Sequence, residues 1–370
     1  MTYIIGWKNS RSVFLSGDSI VETNFKMRPD EKQTSFGEEL IKTNEFSLSE
    51  KCLKIWVIKN LVIGFASCDV YEAIEFLDLL NTTFDQSKIE ESINQTIKQF
   101  TPKYSEFLFV FHENNENKLL RYNADYDELI PENEPTQIGS LPEGYQDQSY
   151  EFCAHLSEKE KELNDYDSLT LINGIHQNIL STQGALEKSV GGIFTGLFLN
   201  QNGIFWQKDT IYINYSGDLN ELNNEGTNLK DVYSPTGMTH LIIRNNCASF
   251  TSGMNKTRTA KTDHLFRCWE SKNESNPPAY IKKEKLEWQK RFEDQIFKLF
   301  DCPTPTFICL FSNKFEFAGN LILIRSYNGN PYVKISCLEN NEFEIGVNMS
   351  IIKALNPLED SDVYNYRVIN

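Results

Sequence analysis

Residues 2–18 of the chain read TYIIGWKNSRSVFLSGD, and this stretch decides the fold. Two short apolar runs, Tyr3 to Gly6 and Ser12 to Leu15, flank the polar sequence KNSR at positions 8–11. Apolar runs of this length around a polar turn predict a pair of antiparallel strands. The second run is followed by Gly17 and Asp18, so a carboxylate stands at the end of the predicted strand.

The remaining pattern as far as position 216 alternates between pairs of strands and pairs of helices. Asp69 is a predicted N-cap, because helical apolar spacing begins directly after it. Two antiparallel sheets packed face to face, with paired helices outside them, fit this order better than a strictly alternating α/β sheet. The predicted elements are a hairpin at 53–58 and 61–65, helices at 70–83 and 89–99, strands at 107–112 and 118–122, helices at about 150–163 and 167–179, and strands from 193 to 215.

The chain is predicted to have three parts. Residues 1–216 form the first domain, and the polar, turn-forming residues 217–234 form a linker or long loop. Residues 235–370 form an additional C-terminal α+β region, which includes an amphipathic helix at 281–300.

Composition excludes several classes of protein. The 370 residues include 36 Lys and Arg against 52 Asp and Glu, a net charge of −16 that disfavours nucleic acid and anionic membranes as partners. No run approaches the length of a membrane-spanning helix, and the start lacks the pattern of a signal peptide. The 8 cysteines include no C-x-x-C pair, so we expect reduced thiols, a cytoplasmic location and no bound metal. No cofactor motif and no phosphate-binding loop is present.

Five pieces of sequence, in order, carry a resemblance to a known family. They are TYIIG at 2–6, VFLSGD at 13–18, LVIGFAS at 61–67, IGS at 138–140 and SVGG at 189–192. Together they resemble proteasome β subunits and the proteolytic subunit of the bacterial two-component ATP-dependent protease, both of the N-terminal-nucleophile hydrolase superfamily. The resemblance implies a four-layer αββα sandwich for residues 1–216.

The resemblance also implies a catalytic role for Thr2. Removal of Met1 would expose its α-amine, whose reference pKa is about 7.7–8.0, and this amine would act as the general base for the Thr2 hydroxyl. Asp18 matches the family's acidic residue, which holds a lysine beside the threonine. Counting back from Gly64 points to Lys51 as that lysine, and Lys54 is the alternative.

Four further residues match the family's site. Gly64 corresponds to the glycine whose N–H stabilises the oxyanion, and Ser140 corresponds to a serine near the threonine amine. Glu187 can take the place of an acid in the last motif. The serine expected after that acid is replaced by Val190, and Ser189 can substitute only with a shift of one position.

The implied function is a threonine-type peptidase or amide hydrolase that needs no cofactor. The family implies a peptide or polypeptide substrate, a homo-oligomeric ring, and a separate ATPase where substrates must be unfolded. Two alternatives remain open at this point. One is an inactive scaffold or binding module, which the Val190 departure favours, and the other is a small-molecule amidohydrolase on the same fold. The five scattered histidines show no metal-ligand spacing, and His176 is expected in packing or at the surface.

Overall fold

The structure is a computed structural model of the 370-residue chain. It describes residues 2–24, 46–50, 52–124, 127–140, 145–179, 186–192 and 194–207, followed by strands at 210–216, 238–244, 247–253, 259–263, 266–267, 306–312, 319–324, 333–337, 343–347 and 365–369. Helices and mainly antiparallel strands form separate blocks, so the α+β class is confirmed. The chain divides into two compact units: residues 1–34, 38–207 and 265–289, and residues 35–37, 208–264 and 290–370.

The first sheet of the first unit is built on the opening hairpin. Its antiparallel strands, in spatial order, are β11 (Thr136–Gly139), β1 (Tyr3–Lys8), β2 (Val13–Gly17), β12 (Thr195–Asn200) and β13 (Gly203–Trp206). In β1 and β2, Ile4 pairs with Gly17 and Lys8 pairs with Val13, so the chain reverses at the polar turn that the sequence predicts. This register places Asp18 beside the start of β1.

The second sheet contains two hairpins that the sequence also predicts. Its spatial order is β10 (Glu128–Pro131), β9 (Glu116–Asn123), β8 (Ser105–Glu113), β7 (Leu61–Ser67) and β6 (Ile55–Ile58), all antiparallel. The central strand β7 carries the apolar run LVIGFA, every residue of which is buried. Burial on both faces of β7 explains why the run does not alternate with polar residues.

Two helices cover one face of the second sheet. Helix α1 (Val70–Thr83) begins at its N-cap Asp69, whose carboxylate accepts the amide N–H groups of Tyr71 and Glu72. Helix α2 (Ile89–Gln99) packs against α1, and both agree with the ranges predicted from the sequence. Their apolar sides form one core with the aromatic side chains Phe76, Phe107, Phe109, Phe111 and Tyr122.

The first sheet has its own pair of helices. Helix α3 (Tyr145–Glu158) packs on β1, and helix α4 (Asp165–Ile179) packs on β2 and β12. Between the two sheets, side chains interdigitate closely. A Cβ atom built on Gly64 would lie 2.5 Å from Leu15 Cδ2 and 2.7 Å from Ile4 Cγ2, so the two sheets approach each other at this glycine.

The described residues also form three two-stranded sheets. They are β3 (Ile20–Asn24) with β4 (Phe46–Glu50), β5 (Cys52–Leu53) with β18 (Phe266–Arg267), and β21 (Val333–Cys337) with β22 (Phe343–Val347).

The second unit contains a seven-stranded mixed sheet. Its order is β17 (Thr259–Asp263), β16 (Cys247–Gly253), β15 (Met238–Arg244), β14 (Thr210–Ser216), β19 (Thr306–Ser312), β20 (Gly319–Ile324) and β23 (Asn365–Ile369). The sequence places the strand at 210–216 at the end of the first domain, whereas here it pairs with β15 and β19. The predicted linker at 217–234 and the predicted helix at 281–300 lie outside the described residues.

None of the helices in the described part of the chain is long and apolar enough to cross a membrane.

The close approach of the sheets predicts the effect of Gly64→Ala. The added methyl group would meet Leu15 and Ile4, which are fully buried and packed in both sheets. Overpacking of this kind lowers the free energy of unfolding by about 1–3 kcal/mol. Urea unfolding followed by fluorescence of the buried Trp7 and Trp56 measures the change.

Gln99→Ala is the control, because Gln99 is exposed on α2 and its truncation is expected to change stability by less than about 0.5 kcal/mol. Equal stability of Gly64→Ala and the unmodified protein would contradict the description of the contact between the sheets.

Candidate functional site

A buried carboxylate lies at the end of β2. Asp18 is 0% exposed, and its oxygens accept three backbone N–H groups, from Tyr3 at 3.1 Å, Gly191 at 3.1 Å and Ile20 at 3.3 Å. The Asp18 amide donates in turn to the Tyr3 carbonyl at 3.2 Å. Asp18 therefore holds the residue directly after Thr2 through both backbone groups of that residue.

The cation that pairs with Asp18 is Lys54. Its Nζ lies 2.7 Å from Asp18 Oδ1, and its side chain is only 1% exposed. The β6–β7 hairpin fixes the backbone of Lys54, because Lys54 directly precedes β6 and its carbonyl accepts the Phe65 amide at 3.2 Å. Lys51, the lysine favoured by counting residues in the sequence, lies outside the described residues, whereas its alternative Lys54 makes the ion pair.

Thr2 lies against the end of β11. Its side chain and backbone are 5% exposed, and its carbonyl accepts the Ser140 amide at 2.8 Å. Gly139 has a φ of +92°, and a Cβ atom there would lie 1.8 Å from the Thr2 carbonyl oxygen. Only glycine allows this contact. Of the predicted site residues, Ser140 is thus brought next to Thr2, through its backbone.

An open cavity of about 280 Å³ lies beside Thr2. It is formed where five strands of the two sheets, β1, β7, β8, β9 and β11, begin or end. The lining residues are Thr2, Ala66, Ser67, Cys68, Lys103, Tyr104, Ser105, Glu106, Asn123, Ala124, Gly139 and Ser140. The cavity can admit a molecule of side-chain size next to the Thr2 residue.

Gly64 does not line this cavity. The Phe65 amide donates toward β6, and the Cys68 amide donates to the Tyr104 carbonyl on the β8 side at 3.0 Å. Amide groups alternate sides along a strand, so the Gly64 N–H faces β8, where Gly64 pairs with Leu108. The structure places Gly64 inside the ladder, and this corrects the expectation that its amide is available to an oxyanion.

Unlike the Gly64 N–H, the Ser67 N–H is not used in pairing with a described strand. By the same alternation its N–H faces the side of β6, yet β6 begins opposite Gly64, and no described strand pairs with Ser67 on that side. Ser67 also lines the cavity with Thr2. The sequence contains a hint of this position, because the apolar run LVIGFA ends at Ser67 directly before the helix cap Asp69.

Residues 187–190 of the last predicted motif differ in their exposure to solvent. Glu187 is exposed, while Ser189 is 2% exposed and its hydroxyl donates to Glu22 Oε2 at 3.2 Å. Val190 is fully buried. The motif contributes its backbone instead, because the Gly191 amide binds Asp18 and the Gly191 carbonyl accepts the Ser19 amide at 3.3 Å.

A buried histidine lies behind the first strand. His176 on α4 is 0% exposed, and its ring meets the Tyr3 ring edge-on with centroids 5.4 Å apart. Its Nδ1 lies 3.4 Å from Ser16 Oγ. Burial lowers the pKa of His176 from 6.5 to about 3, so the ring is neutral at physiological pH. The sequence assignment of His176 to packing agrees with this position.

The buried Lys54–Asp18 pair is joined to the chain start through Tyr3, the residue directly after Thr2. A cation close to an amine lowers the pKa of that amine, and the rigid acceptor Asp18 keeps the cation in place. Among the described residues, no group of three or more His, Cys, Asp or Glu side chains could hold a metal ion.

Comparisons with known proteins give a structural likeness and no match in sequence. No protein-family model and no curated protein matches the chain. Among solved structures, the chain is similar to a Gly-1 mutant of Anbu from Hyphomicrobium sp. strain MC1, with 11% identity and a TM-score of 0.38. The likeness covers 56% of this chain and 85% of the Anbu chain.

The buried ion pair predicts strong coupling between its two members. Lys54→Met leaves the Asp18 carboxylate buried without its cation, which should lower the free energy of unfolding by about 3–5 kcal/mol. Asp18→Asn leaves the Lys54 ammonium buried instead. In a urea-unfolding double-mutant cycle, the combined variant should be more stable than the sum of the single losses implies. Strict additivity would show that the pair does not interact.

His176 predicts a pH-dependent loss of stability. Its folded-state pKa of about 3 lies below the unfolded value of 6.5, so below pH 6.5 the unfolded chain takes up the proton first and stability falls with pH. The contribution is about 1.4 kcal/mol per pH unit, or roughly 2–3 kcal/mol between pH 7 and 4.5.

Comparison of the unmodified protein with His176→Gln isolates this component from the carboxylates, since glutamine does not titrate. The difference in unfolding free energy between the two proteins should change with pH between 6.5 and about 3, and a constant difference would exclude the assignment.

Proposed function

We propose that the chain is a threonine-type hydrolase of the N-terminal-nucleophile superfamily, with a proteasome-like αββα first domain. The observation that carries the proposal is the buried Lys54–Asp18 pair, which is bonded to the residue after Thr2 while Thr2 itself borders an open cavity. A buried ion pair costs desolvation energy, so the pair is not explained by stability alone.

The proposed reaction begins when removal of Met1 frees the Thr2 amine. The neutral amine accepts the proton of the Thr2 hydroxyl, and the oxygen forms a bond to the carbonyl carbon of an amide substrate. The tetrahedral intermediate then expels the amine portion, which leaves with that proton. Water attacks the resulting Thr2 ester, releases the acid and restores the hydroxyl.

Two groups of the chain would assist these steps. The Lys54 ammonium would keep the Thr2 amine neutral by lowering its pKa, and Asp18 would hold the ammonium in place. We propose the Ser67 amide, in place of Gly64, as the donor to the oxyanion, because it is the cavity-lining amide without a described strand partner. One such donor contributes about 2.7–4 kcal/mol to the transition state.

A second candidate is a catalytically inactive scaffold with the same fold. The observation that favours it is the last motif, where Val190 is buried at the serine position and the Ser189 hydroxyl is bonded to Glu22. A valine side chain has no hydroxyl, and the Ser189 hydroxyl is engaged by Glu22. The ring assembly, the partner ATPase and the preference for peptides over small amides follow from the sequence resemblance and belong to the proposal.

Intact-protein mass spectrometry tests the proposal. The purified chain should begin at Thr2 and should gain one equivalent of a β-lactone or peptide epoxyketone at that residue. Thr2→Ala should abolish the addition, because the variant lacks the nucleophilic oxygen, and Lys54→Met should slow it at least about tenfold if the cation keeps the amine neutral.

Thr82→Ala is the matched control, since Thr82 is exposed near the end of α1 and does not line the cavity, and it should label normally. A chain that retains Met1 and takes up neither reagent would favour the scaffold.

A further inference from the structure

Glu106 is a carboxylate at the open end of the second sheet. On β8 the neighbouring Phe107 and Phe109 belong to the core under the helices, so Glu106 and Leu108 lie on the opposite face. That face is turned toward the first sheet, because Leu108 Cδ1 lies 3.3 Å from a Cβ atom built on Gly6. Glu106 therefore points between the sheets at the end where the cavity lies.

The Glu106 carboxylate is connected to Thr2 through one residue. Its Oε2 accepts the Gly139 amide at 3.2 Å, and Gly139 in turn contacts the Thr2 carbonyl. The second oxygen, Oε1, has no hydrogen-bond donor or cation among the described residues. A half-buried carboxylate that is oriented by one oxygen and unpaired at the other can bind a cation from a ligand.

The cavity is also lined by one positively charged residue, Lys103, which lies at its rim. Lys103 is exposed, and its backbone amide donates to Glu72 Oε1 at 2.7 Å, while the Tyr104 amide donates to Glu72 Oε2 at 2.8 Å. Glu72 thus holds the rim segment, and the Lys103 ammonium makes no ion pair with a described residue. An exposed ammonium is screened by solvent and affects the cavity less than Glu106 does.

We propose that Glu106 makes this cavity selective for a substrate residue that carries a long cationic side chain, lysine or arginine, next to the bond that Thr2 attacks. The volume of about 280 Å³ lies near the lower limit of ligand pockets, about 300 Å³, and suits one extended side chain. The part of this inference that concerns cleavage next to the cationic residue rests on the proposed function. The binding of the cation depends only on Glu106.

Binding of uncleaved peptides tests the site without turnover. The full-length Thr2→Ala protein is titrated with fluorescein-labelled Gly-Gly-Lys-Gly-Gly and with the same peptide carrying norleucine, which has a similar length and no charge. The lysine peptide should bind at least about tenfold more tightly, as expected of a charge-assisted hydrogen bond. Adding Glu106→Gln should reduce the preference to about twofold or less, since glutamine keeps the acceptor for Gly139 and loses the charge.

Lys103→Gln is the matched control on the other charge of the cavity. It should leave binding of the lysine peptide unchanged or strengthen it, and a loss as large as that of Glu106→Gln would overturn the assignment. The preference should also fall as salt is raised from about 0.05 M to about 0.5 M, which needs no substitution at Glu106.

The outcomes separate this inference from the proposed hydrolase. Equal affinity for the two peptides would overturn the selectivity, whatever the labelling of Thr2 shows. A lysine preference that depends on Glu106 supports the cation site, and it stands even if Thr2 takes up no reagent, a result that would overturn the hydrolase alone.

Discussion

The structure of the site depends on one buried carboxylate. Asp18 is removed from water, which costs several kcal/mol for an isolated ion, and it is stabilised only because four donors surround it. The donors come from Tyr3 at the start of β1, Ile20 at the start of β3, the Gly191 loop and Lys54 before β6. Since these segments are far apart in the chain, the pair forms only when both sheets are packed together, and the backbone beside Thr2 is set at the same time.

The cavity follows from the same packing. The two sheets approach closely at Gly64, whose missing side chain leaves room for Ile4 and Leu15, and they separate where the strands end. At that end the ladder between β7 and β8 stops at Ser67, and the Glu106 carboxylate meets the end of β11 at Gly139. The Ser67 amide, which pairs with no described strand on the β6 side, the Glu106 carboxylate and Thr2 therefore border one cavity.

Helices α1 and α2 and the hairpins β1–β2, β6–β7 and β8–β9 were predictable because they depend on local patterns, whereas β3, β4, β10 and β11 were not predicted. Asp69 and the apolar spacing after it define α1 in the sequence, and the polar turn at 8–11 defines the first hairpin. Which lysine pairs with Asp18 was harder to predict from the sequence. Counting residues from Gly64 assumes a hairpin of fixed length, whereas the ion pair is decided by which lysine lies opposite Asp18 after the sheets pack. The pairing of the strand at 210–216 with β19 is likewise nonlocal.

By itself, the sequence determined the α+β class, the opening hairpin with its terminal carboxylate, and the bounds of α1 and α2, since periodicity and capping act over a few residues. Helix α3 begins and ends five residues before its predicted range. Tertiary structure alone decided that Lys54 pairs with Asp18, that the Gly64 amide is used within the sheet while Ser67 lies past its end, and that Glu106 borders the Thr2 cavity. The physical reason is that ion pairing, strand register and cavity lining join atoms from separate parts of the chain, and their distances exist only in the packed molecule.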